Sequence, residues 1–203
     1  MKKRILSLVL AAALIVSVIP ITPITLPVSA AGSGDYTYEV AEGEVTITDF
    51  NSSAKGEVII PSELEGFPVT TIGASSFAFC DRITSVTVPD TVTSIGGYAF
   101  RGCKAMVSIE IPDSVLSVGE GAFLGCSLLA GIDIPNSVTA IEPDTFRSCY
   151  ALTNVEIPNT VKSIGDFAFE YCKGLVNIEI PNSVESIGSW AFQASCDARV
   201  NPK

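Results

Sequence analysis

A 23-residue period governs this chain. Cys80, Cys103, Cys126, Cys149 and Cys172 recur at that interval. So do Phe77, Phe100, Phe123, Phe146, Phe169 and Phe192, and likewise Pro89, Pro112, Pro135, Pro158 and Pro181. Five units follow without a gap: Val86–Ser108, Ile109–Gly131, Ile132–Asn154, Val155–Asn177 and Ile178–Val200. A sixth, divergent unit precedes them. It keeps Val69, Ile72, Gly73, Phe77, Cys80 and Ile83 but carries five extra residues between Pro61 and Val69. A unit this short cannot bury its apolar face alone, whereas stacked copies share one continuous core. The sequence therefore predicts a repeat solenoid.

Each unit reads the same way. Ile109-Glu110-Ile111 alternates as a short half-buried strand does. Pro112 cannot donate to a ladder, so the strand stops there, and Asp113-Ser114 turns the chain. Val115 and Val118 point inward again, and Gly119 offers a tight bend. Ala122-Phe123 and Cys126 predict one buried helical turn, with Leu129 completing the core. The first strands of successive units pair in parallel, about 4.8 Å apart.

The string Ile-Pro-Asn-Ser-Val-x-x-Ile-Gly-x-x-Ala-Phe-x-x-Cys-x-x-Leu is nearly complete at 157–175, with Thr160 in place of serine. It resembles the BspA-type (Treponema-type) leucine-rich repeats, over Glu57 to about Phe192. The resemblance implies a leucine-rich-repeat solenoid with a short parallel sheet on one face and turns or single helical turns on the other. Tyr36–Val40 and Glu44–Thr48 read as a hairpin around Glu42-Gly43, similar to the family's entry region and placed to cap the first rung. The organisation is then a leader over 1–30, an N-terminal cap over 31–56, six repeats over 57–192 and a short C-terminal cap over 193–203. Two departures stand out. Glu142-Pro143 replaces the Gly-x pair and Thr145 replaces alanine, which predicts a local bulge. Ser195 stands where the last unit's cysteine belongs, with Cys196 one place late.

Residues 1–30 read as a secretory signal peptide. Lys2-Lys3-Arg4 precedes the apolar run Ile5–Ile19, and Val28-Ser29-Ala30 places small residues before a cleavage at Ala30/Ala31. The other reading is an uncleaved anchor, but Pro20, Pro23 and Pro27 end the run early. The protein is thus expected to be secreted or at the cell surface, touching a membrane only through that leader. The remaining 173 residues hold nine basic and 22 acidic side chains and no histidine. A surface charge of −13 repels nucleic acid. Without histidine there is no Ser-His-Asp or Cys-His machinery.

Six cysteines in an exported chain suggest disulfides. Ladder neighbours, however, point the same way from adjacent turns, and a disulfide needs a crossed geometry. A column of buried free thiols is the expectation, with Cys196 the possible exception. A line of thiols does not converge on a metal.

Function is expected on the variable columns. Thr87, Glu110, Asp133, Glu156 and Glu179 form one row on the strand face, four of them acidic. Such a row suits a basic protein surface or Ca²⁺, or it is simply a solvated face. Asp90, Asp113, Asn136, Asn159 and Asn182 read as turn residues, and Arg101, Leu124, Arg147, Glu170 and Gln193 as a mixed solvent-facing column. Tyr98, Tyr150, Phe167, Tyr171 and Trp190 are candidate exposed aromatics, with Phe167 and Trp190 adjacent on the stack. The resemblance implies a non-enzymatic surface protein that binds host matrix or another cell-surface protein, with no cofactor. Two further readings are an envelope component self-associating through its C-terminal end and, less favoured, a carboxylate-dependent glycosidase. The second needs a pocket that short repeats without insertions do not supply.

Overall fold

The computed structural model describes residues 24–26, 36–195 and 199–202. Each turn of the chain lays down two strands, and both rows advance by 23 residues, except at the first step of the first row, where the five extra residues intervene. The first row is Gly56–Ile59, Ile83–Thr87, Ser108–Glu110, Gly131–Asp133, Asn154–Glu156 and Asn177–Ile180. The second is Phe67–Ile72, Ser94–Ile95, Ser117–Val118, Ala140–Ile141, Ser163–Ile164 and Ser186–Ile187. Pairing is parallel, as in Val86 opposite Ile109 and Ser94 opposite Ser117. A third side of tight turns closes each coil.

The hairpin caps the stack as expected. Tyr36–Ala41 and Glu44–Phe50 pair antiparallel across Glu42 and Gly43, whose φ values of 54° and 83° suit a two-residue hairpin turn. Glu44–Phe50 then pairs in parallel with Phe67–Ile72, which closes the first coil. The five extra residues of the first repeat build a small hairpin of their own. Glu63–Leu64 folds back on Phe67-Pro68 over the left-handed pair Glu65-Gly66. Outside the cap, Ile24–Leu26 pairs antiparallel with Tyr36–Tyr38, and at the far end Arg199–Pro202 pairs with Asn177–Ile180. The leader's cleavage position and Cys196 lie outside the described residues.

The expected helical turn is absent. The Ala122–Cys126 segment and its counterparts are isolated turns, because the backbone becomes left-handed twice per coil. Tyr98, Gly121, Asp144, Phe167 and Trp190 have φ between 56° and 58°; four residues on, Gly102, Gly125, Ser148 and Tyr171 lie between 61° and 73°. A right-handed helix cannot run through two left-handed residues so close together. The turn's N–H groups instead donate to the next coil, as Phe100 does to Ala122 and Gly102 to Leu124, both at 2.8 Å.

The core is columnar. Phe77, Phe100, Phe123, Phe146, Phe169 and Phe192 stack with ring centres 5.0–5.7 Å apart. Five free thiols form the column beside them, and all are buried. Four of them have a job: the Sγ–H of Cys103, Cys126, Cys149 and Cys172 donates to the carbonyl of the phenylalanine 26 residues earlier, at 3.1–3.2 Å. Ser195 Oγ makes the same bond to Phe169 at 2.6 Å, so the departure in the last repeat keeps the interaction.

One defect interrupts the core. A void of about 10 Å³ lies among Val118, Phe123, Ile132, Val138, Ile141 and Phe146. Val118 is the one valine in a column otherwise made of Ile72, Ile95, Ile141, Ile164 and Ile187. Val118→Ile is expected to stabilise the protein by about 0.5–1 kcal/mol, the worth of one buried methylene. A higher urea midpoint at unchanged slope is the expected result, and a lower midpoint would show that the space is already filled.

Candidate interaction surface

In the first row, alternate residues face opposite ways. Val86, Ile109, Ile132, Val155 and Ile178 are buried, so the residues that follow them point outward. Glu110, Asp133, Glu156 and Glu179 are exposed and Thr87 is half-buried. The register sets Thr87 beside Glu110 and Asp133 beside Glu156. All five row residues therefore stand on one face. Glu110, Asp133 and Glu156 form no ion pair among the described residues. Open hollows lie along this face, and two are the largest of those described. One, of about 470 Å³, is edged by Glu156, Asn159, Glu179 and Asn182; the other, of about 460 Å³, by Thr87, Asp90, Glu110 and Asp133. Among the described residues no three carboxylate or thiol groups converge to hold a metal ion. Rung spacing, rather than convergence, sets the distance from each carboxylate to the next.

The post-proline positions behave as turn residues. Asp113 Oδ1 accepts from the Asn136 N–H at 3.2 Å, tying one coil's turn to the next.

The aromatic pair sits elsewhere, on the turn side. Phe167 and Trp190 meet edge to face at 5.3 Å, and Trp190 is 63% exposed. Arg147 stacks on Phe167 with its guanidinium 5.0 Å from the ring centre. Tyr98, Tyr150 and Tyr171 are also at least partly exposed. Phe79 was not among the expected surface aromatics, yet it is as prominent, with Arg101 5.3 Å above its ring. Its signal lies in Gly102, one period on. A Cβ there would stand 2.8 Å from the Phe79 ring, so the glycine leaves room for a side chain leaning forward.

The mixed column needs one correction. Glu170 is buried, not solvent-facing, at 4% exposure. Arg147, one coil earlier in the same column, lies over it with Nε 2.6 Å from Glu170 Oε2, and also bonds Asp144 Oδ1 at 3.1 Å. Charge pairing within the column holds this acid inside.

The BspA-type leucine-rich repeat model matches residues 70–198 in six copies. The chain belongs to this family. The solved structures it resembles agree. A leucine-rich repeat protein of T. pallidum is 29% identical with a TM-score of 0.72, over 82% of this chain and 88% of that one. A leucine-rich cell surface protein of Faecalibacterium prausnitzii is 26% identical with a TM-score of 0.62, over 87% of this chain and 54% of the other. A leucine-rich repeat protein of Eubacterium ventriosum is 27% identical with a TM-score of 0.61, over 83% and 50%. This BspA-type chain thus spans about half the length of the latter two. No curated protein matches it.

Proposed function

We propose that this BspA-type repeat protein is an exported, non-enzymatic binding module whose first-row face takes a basic surface of another extracellular protein. The observation that carries the reading is the exposed row Glu110, Asp133, Glu156 and Glu179, one acid on each of four successive coils. Like charges stacked on neighbouring strands cost a few tenths of a kcal/mol per pair, and a cationic partner removes that cost. Glu110, Asp133 and Glu156 form no ion pair among the described residues, and the strands that carry them hold no lysine or arginine. The same exposure argues against hydrolysis. A glycosidase needs one carboxyl in a water-poor site, and the row stands in water.

Residues 31–203 should bind saturably to a basic member of a panel of extracellular-matrix proteins, and the binding should weaken with salt. Replacing the four acids together by glutamine or asparagine should lower that affinity by about tenfold or more. Affinity unchanged by the replacement would leave the row as a solvated face.

A further inference from the structure

Where its neighbours have glycine, the fourth repeat has Glu142. At Gly96, Gly119, Gly165 and Gly188 the backbone runs so close to the preceding coil that an added Cβ would lie 2.4–2.6 Å from its atoms. In those coils the glycine N–H donates back to Ile72, Ile95, Ile141 and Ile164 at 2.7–2.9 Å. Three residues earlier, Thr93, Leu116, Lys162 and Glu185 donate likewise at 2.7–2.9 Å. Glu142 has a Cβ. A contact that short is repulsive, so the fourth coil has to stand off by roughly an ångström.

The consequence is visible on the second strand row. Neither the Thr139 N–H nor the Glu142 N–H bonds to the coil before it, to Leu116 or Val118. Ser117–Val118 and Ala140–Ile141 do not pair with each other, and the second row splits there into two sheets. The first row breaks at the same junction, between Ser108–Glu110 and Gly131–Asp133, where the Ala130 N–H to Val107 bond of 3.1 Å remains. The first row breaks again after Asn154–Glu156, but there the second row runs on through Ser163–Ile164 to Ser186–Ile187. The void beside Val118 and Ile141 fills the gap left on the second row. The turn side, by contrast, is intact. Gly121, Phe123 and Gly125 donate to Pro143, Thr145 and Arg147 at 2.8–3.0 Å, and the Cys149 thiol still reaches Phe123.

We infer that the junction between the third and fourth full coils, Val118 against Ile141, is a hinge at which the solenoid opens along its second strand row while the turn side holds. Repeat stacks derive their cooperativity from nearest-neighbour interfaces, so one weakened interface divides the stack into two units. Thr87 and Glu110 then ride on one unit, and Asp133, Glu156 and Glu179 on the other. Opening changes the angle between these two parts of the acidic face.

The test uses the full chain with a cysteine probe at Ile141→Cys or at Ile164→Cys, two sites buried to the same degree, at 3% and 2%. Under native conditions the probe at 141 should react with a thiol reagent about tenfold faster or more than the probe at 164, read by peptide mass. Adding Glu142→Gly should bring the two rates together. Equal rates at the start, or a difference that Glu142→Gly leaves untouched, overturns the hinge. Amide exchange needs no probe: Glu142→Gly should slow exchange at 139 and 142 by about tenfold or more, and no slowing overturns the proposal equally.

Discussion

Raised in pH in a reducing buffer, the protein should unfold cooperatively near pH 10. The cause is the thiol column. Burial pushes the Cys80 and Cys172 thiols up to about 12. Cys103 is raised by its contact with Cys126 and by burial, and Cys149 chiefly by burial. In the unfolded chain these thiols ionise near 8.5. Below that pH both states hold the proton and nothing is lost. Above it the unfolded state sheds protons that the folded state keeps, so stability falls as pH rises until the folded thiols ionise in turn. At pH 10 each of the four thiols contributes a loss of about 2 kcal/mol, or about 8 kcal/mol together. That is comparable to the whole stability of a typical domain, about 5–15 kcal/mol. Burial raises Tyr36 as well, which steepens the transition further up. Circular dichroism against pH measures the midpoint. Replacing Cys80, Cys103, Cys149 and Cys172 by serine, the residue that Ser195 already shows to fit, should move it upward by half a pH unit or more. A wild-type chain still folded at pH 11 would mean that the column does not hold its protons as this geometry requires.

Much of this was legible because a period of 23 leaves so few solutions. The alternation at Ile109-Glu110-Ile111, the stop at Pro112 and the phenylalanine column fix which side chains face in. They also fix that Glu110, Asp133, Glu156 and Glu179 share a face. The thiol column could be read as free because parallel neighbours do not cross. Other features depend on contacts one coil away, which a one-dimensional pattern does not display. The left-handed residues at Tyr98 and Phe167 look like ordinary helix formers, and only the glycines at 102, 121 and 125 hint that the turn is not a helix. Glu170 looked solvent-facing because its column holds Arg101 and Gln193; its burial is decided by Arg147 lying above it. Glu142 announced a bulge, but its reach into the second strand row follows from how tightly Gly119 and Gly165 pack.

Glu170 also supplies the second large effect. Arg147→Ala should destabilise the protein by about 3 kcal/mol, far more than loss of a surface ion pair, which is worth about 0–1 kcal/mol. The two side chains are unequal. Arg147 is 36% exposed and Glu170 only 5%, so removing the arginine leaves a carboxylate in the interior with no cation beside it. Oε2 has no aligned hydrogen bond to replace that attraction. The guanidinium also lies over the Phe167 ring, and its loss adds to the cost. The cost should be attributable mainly to the stranded charge, and a double variant separates the terms. In Arg147→Ala with Glu170→Leu the charge is gone, and Leu124 shows that the same column accepts a leucine. Urea unfolding of the double variant should recover about 2 kcal/mol of the loss. If the double variant is as unstable as Arg147→Ala alone, the arginine acts by covering Phe167, and the buried acid is not what holds it there.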